Sequence, residues 1–100
     1  MISRVWKGAT RADDADEYLD YLRRTGLADY ARIPGHRQTI TMRRIGPDRA
    51  EFVIVTIWDS MDAVRAFAGD EPERAVFYPE DDRFLVARDD RVTHFDVVDQ

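Results

Sequence analysis

The chain has 100 residues, enough for one domain (1–100) with little room for a second. Its composition, 44% hydrophobic and 35% charged, is that of a globular chain with a real but thin core. The net charge of −5 and scattered arginines argue against nucleic acid or a basic membrane-surface helix as partner, and the lack of cysteine removes disulfides, thiolate catalysis and cysteine zinc sites.

Residues 2–8 alternate as a strand, with Ile2, Arg4 and Trp6 on one face and Ser3, Val5 and Lys7 on the other. Asp13 or Asp14 is placed to cap a helix whose apolar face carries Ala15, Tyr18, Leu19 and Leu22. Arg23 and Arg24 suit its C-terminal end, and Gly26 is the expected stop. Leu27 to Tyr30 can add a short turn before the break at Ile33-Pro34-Gly35. Residues 36–45 and 51–58 read as strands joined by the Gly46-Pro47-Asp48-Arg49 turn, hence as an antiparallel hairpin. Asp59 or Ser60 caps a second helix with Met61, Val64, Phe67 and Ala68 on one stripe, ended by Gly69. Pro72 can start a short helix through Phe77, Glu80 to Leu85 can coil once more, and residues 91–98 read as the last strand.

That order, βαββαβ, is the ferredoxin-like α+β arrangement: a four-stranded antiparallel sheet with both helices on one face. The third strand does not alternate. Phe52, Ile54 and Trp58 fill one face, but Val53, Val55 and Ile57 fill the other, which the helices leave bare. A second copy packing sheet against sheet is the simplest cover, so a homodimer is expected. No run approaches the ~18 apolar residues of a membrane span, and the first residues carry no apolar signal region. No membrane partner and a cytoplasmic location are therefore expected.

Only His36 and His94 could act as imidazole groups, and no His-x-x-x-His spacing points to a metal. His94, mid-strand and titrating near neutrality, is the best general base in the sequence; a hydrogen-bonded histidine of sheet or interface is the plainer reading. Trp6, Tyr18, Tyr21, Trp58, Phe67 and Phe77 could enclose a flat ligand or simply fill the core. Arg4 shares a face with Trp6 and could hold a phenolate or carboxylate, or pair with Asp96. The Glu80-Asp81-Asp82-Arg83 run reads as a cap with a local ion pair rather than a calcium loop.

Several local patterns add up: Pro34-Gly35 before the second strand, Ile57-Trp58-Asp59-Ser60 leading to Ala63 and Phe67, the segment Tyr78 to Phe84, and Val92-Thr93-His94-Phe95-Asp96-Val97 in the last strand. Over essentially its whole length the chain resembles the antibiotic biosynthesis monooxygenase superfamily, with its dimeric α/β-barrel fold. The resemblance implies a homodimer joined through its sheet faces, and in each subunit a ligand cavity between sheet and helices. It also implies oxidation of an aromatic or polyketide-type small molecule by molecular oxygen, without metal or organic cofactor. Tyr78 and His94 would be the proton acceptors, with Arg4, Trp6, Tyr18 and Phe67 holding the substrate. Relatives that degrade haem carry an Asn at the end of the first strand, a Trp on the second helix and a His beyond it. Here Lys7 or a neighbour, Phe67, and Phe77 or Tyr78 stand at those places, and the sequence contains no Asn. The same residues leave open a non-catalytic small-molecule-binding or stress-response module of the same fold.

Overall fold

A computed structural model describes residues 1–100. Strand β1 spans Ile2–Arg11, and a single 3-10 turn, Ala12–Asp14, leads into helix α1, Ala15–Arg24. Helix α2, Gly26–Ala31, follows at once. Strands β2, His36–Ile45, and β3, Arg49–Trp58, form the hairpin, and helix α3 covers Met61–Ala68. A one-turn helix α4, Asp81–Phe84, runs directly into β4, Leu85–Arg88, and β5, Thr93–Asp96, closes the chain.

The sheet order is β2-β3-β1-β4, with β5 also beside β1, and the strand pairs are antiparallel. This is the ferredoxin-like order, with one departure from the sequence reading: the strand expected over 91–98 is the shorter β5, and β4, in a segment expected to be irregular, precedes it. β4 pairs with Gly8–Thr10 and β5 with Ile2–Val5, separated by Asp89-Asp90-Arg91-Val92. The residues expected to form a helix from Pro72 to Phe77 run instead as an irregular strap, and its Glu73–Ala75 stretch fills that gap. Val92 N–H donates to the Glu73 carbonyl at 2.8 Å, and Ala75 N–H to the Asp90 carbonyl at 2.9 Å. Backbone groups freed by the strand break thus find partners in the strap.

Register sorts the side chains. Arg4 lies opposite Thr56, Trp6 opposite Ile54 and Gly8 opposite Phe52, so all six face the helices. On that side Tyr18 packs edge-on against Phe52 at 5.2 Å between ring centres, and Tyr30 against Phe67 at 4.7 Å. Trp58, Phe52 and Val64 are fully buried there. The other side carries Val5, Val55 and Ile40 in one row and Lys7, Val53 and Met42 in the next. No helix covers it, and Ile40, Met42 and the nearby Phe95 remain exposed.

The helix ends show which of the expected signals operate. Ser60 caps α3 by accepting from Ala63 N–H at 3.2 Å, and Gly69 ends it with φ 87°. Asp14 occupies the position before α1 but makes no side-chain cap bond. Gly26 is no helix stop. The chain turns at Thr25 (φ −117°, ψ −102°), whose hydroxyl donates to the Tyr21 carbonyl, and Gly26 opens α2. Gly35 is needed twice over: its φ is 93°, and a side chain there would come within 2.6 Å of the Ala63 methyl.

Candidate functional site

The inner face of β1 and β5 gathers the polar groups that the core does not explain. Arg4 lies directly opposite His94 in the β1–β5 register. Only 4% of Arg4 is exposed, yet no carboxylate faces it; Asp96, the expected partner, pairs with Ile2 two residues along. Its Nη2 donates to the Arg74 carbonyl at 3.0 Å and the Pro72 carbonyl at 3.5 Å, while Nε has no partner. The guanidinium carbon lies 5.6 Å from the centre of the Phe67 ring. Burial lowers the Arg4 pKa, but a guanidinium remains charged. The His94 Nε2 is likewise buried without a partner. Burial first, and the Arg4 charge second, hold His94 below its ordinary value of 6.5. His94 is therefore neutral at pH 7.

Aromatic rings flank Arg4. Trp6 meets Phe77 edge-on at 6.5 Å, and its Nε1 donates to the Asp89 carbonyl at 3.0 Å, so the strand break also fixes the indole. The indole lies over Gly8, where an added methyl would sit 2.8 Å from Trp6 Cζ2. Gly8→Ala is expected to push the indole into the cavity and destabilise the fold by about 1–3 kcal/mol, measured by urea unfolding. An unchanged midpoint would mean that the ring moves freely.

The far wall is a tyrosine–carboxylate network that sequence reasoning missed. Asp81, 4% exposed, accepts from the Tyr18 hydroxyl at 3.0 Å and from Tyr78 N–H at 2.7 Å. The Tyr78 hydroxyl donates to Asp29 at 2.6 Å, and Glu80 N–H donates to the Tyr21 hydroxyl at 2.9 Å. Burial, followed by the Asp81 and Asp29 carboxylates respectively, pushes both the Tyr18 and Tyr78 phenols well above their usual range. The signal available in the sequence was an acid beside Tyr78-Pro79, but cap and buried acceptor look alike there. His36, the other histidine, lies apart from this site. It is half-buried, stacked on Tyr30 and edge-on to Trp58, with Nε2 2.7 Å from the Thr39 hydroxyl.

Arg4, Trp6, Tyr18, Tyr78 and Asp81 all border one cavity between sheet and helices, of about 20 Å3. That is room for roughly one water molecule. Phe67 lies outside it, on a groove of about 400 Å3 that Val76 and Tyr78 also border. His94 lines neither space, and reaches the site through Arg4.

Set against solved structures, this architecture has close counterparts over its full length. An assigned antibiotic biosynthesis monooxygenase from Bacillus cereus superposes with a TM-score of 0.68, covering 99% of this chain and 94% of that one at 13% identity. The chain shares that protein's fold. The heme degrader MhuD of Mycobacterium tuberculosis, with two hemes in its active site, gives 0.65 at 17% identity, covering 100% of this chain and 98% of that one. A MhuD mutant with two manganese protoporphyrin IX molecules per active site gives 0.62 at 17% identity, covering 100% and 97%. No protein-family model matches the sequence, and no curated protein matches it.

Neither a porphyrin nor a fused-ring phenol fits the cavity in this closed arrangement. Ligand pockets run to roughly 300–1,000 Å3, and the cavity holds about 20 Å3. No group of three or more His, Asp or Glu converges as a metal site. No helix is long and apolar enough to cross a membrane.

Proposed function

We propose that the chain is a monooxygenase-type, cytoplasmic homodimer that oxidises an aromatic or polyketide-type phenol with molecular oxygen and no metal or organic cofactor. One observation carries this reading: a buried arginine without an acid, directly opposite a neutral histidine with a buried, unpartnered nitrogen. Arg4 steadies the phenolate, and His94, its neighbour across the β1–β5 pair, takes the phenolic proton once the substrate opens the site to it. Trp6, Tyr18 and Phe67 enclose the ring. Tyr78, its hydroxyl committed to Asp29, holds the wall of the site. The electron-rich ring carbon then reduces oxygen. One oxygen atom stays as a quinone carbonyl and the other leaves as water, the substrate supplying every electron.

The test is oxygen uptake with a dihydroxyanthrone. His94→Ala is expected to lower the rate by about 10²-fold or more. Because the folded-state pKa of His94 lies below 6.5, its base form persists into mild acid, and the acid limb of the rate profile should fall below pH 6.5. The same direction makes His94 cost stability as pH drops from its unfolded value through its folded one. Uptake no faster than in buffer would remove the oxygenase reading. The near-filled cavity favours a second reading in that case, a non-catalytic small-molecule-binding or stress-response module.

A further inference from the structure

Arg4 is held by weaker acceptors than its charge can recruit. A guanidinium bonds a carboxylate through two parallel N–H donors, each stronger than a bond to a neutral carbonyl. The side-on pair of donors consists of Nε–H and one N–H of Nη2. Here Nε is buried and unused, while Nη2 is spent on the Pro72 and Arg74 carbonyls. Those carbonyls belong to the strap between α3 and α4, which has no helix or strand and a single isolated bridge, Arg74 to Arg91.

The strap is also the partition between the two spaces. Val76 and Tyr78 border both the small inner cavity and the 400 Å3 groove outside, whose opposite walls are α2 and α3. The strap is tied at one end by Ala75 N–H to Asp90 and Val92 N–H to Glu73, and at the other by Tyr78 to Asp81 and Asp29. Val76 and Phe77, between those ties, make no backbone–backbone hydrogen bond.

We propose that Arg4 is a receptor for an aromatic oxyanion whose binding releases the strap. A planar oxyanion on a ring takes the Nε–H and one Nη2–H, at least one of the Pro72 and Arg74 carbonyls loses its donor, and Val76–Phe77 part to join cavity and groove. The ring then lies against Phe67 and Trp6. This rests on the functional reading above and adds to it the charge of the ligand and the response of the strap. It also accounts for a cavity too small for any substrate when empty.

The experiment uses benzoate and its neutral counterpart benzamide on the full-length protein, followed by NMR and amide hydrogen exchange. Benzoate should bind saturably with a Kd of about 1 mM or tighter, and benzamide at least about tenfold more weakly. At saturation benzoate should shift the Arg4 Nε–H resonance and speed exchange of the Ala75 and Val92 amides by about tenfold. Arg4→Lys keeps the charge without the paired donors and should weaken benzoate about tenfold; the wild-type resonances decide the matter even where that variant fails to fold. An unshifted Nε–H, or strap amides that exchange as before at saturation, would overturn the proposal. Benzoate has no oxidisable phenol, so the two readings separate. Strap release without oxygen uptake on phenols removes the oxygenase and leaves the receptor. Oxygen uptake over a static strap does the reverse.

Discussion

Asp81→Ala should destabilise the protein by about 3 kcal/mol, since two hydrogen bonds to a charged acceptor are lost and their donors stay buried. Those donors are the Tyr18 hydroxyl and Tyr78 N–H, reaching Asp81 from α1 and from the end of the strap. Apart from these, Glu80 N–H to the Tyr21 hydroxyl is the hydrogen bond that joins the two elements, so the strap should loosen before the sheet does. Asp81→Asn is the informative companion. Its oxygen can keep Tyr78 N–H while its amide donates to a Tyr18 hydroxyl turned to accept, so the cost should fall to about 1 kcal/mol. Urea unfolding at pH 7 measures both. Equal losses for the two variants would mean that the charge, rather than the pair of acceptor positions, holds this wall.

Val55→Glu should convert the proposed homodimer into a monomer. Val55 sits between Val5 and Ile40 at the middle of the face that no helix covers. Two sheets stacked face to face would bury one such carboxylate from each copy with no partner, a penalty of several kcal/mol and at least about a thousandfold in dissociation constant. Sedimentation of both proteins reads the outcome. The fold of the variant should persist, because the side chain points away from the Trp58 and Phe52 core. A wild-type protein that sediments as a monomer would defeat the dimer expectation.

Much of this molecule is written in local chemistry. Alternation in β1 put Arg4 and Trp6 on one face, the order of the elements left one side of the sheet without helices, and Ser60 with Gly69 bounded α3. Each is a short-range signal: side-chain period, cap chemistry, a glycine at positive φ. They sufficed for the order of elements and the ferredoxin-like sheet. The exceptions were equally local. Gly26 resembles a helix stop, but the turn is made by Thr25, whose hydroxyl satisfies a carbonyl of the preceding helix turn.

The site was legible as residue types and not as an arrangement. Sequence alone named Arg4, Trp6, Tyr18, Tyr78 and His94 as groups with chemistry to offer. Only the tertiary structure decided that Arg4 has no acid, that Asp81 sits between two tyrosine residues, and that a strap replaces the expected helix after Pro72. The reason is that partners far apart in the chain set these outcomes: Arg4 meets carbonyls 68 and 70 residues away, and Tyr18 an acid 63 residues away. Whether a buried polar group is satisfied depends on which distant donor or acceptor folding brings to it, and periodicity along the chain carries no record of that.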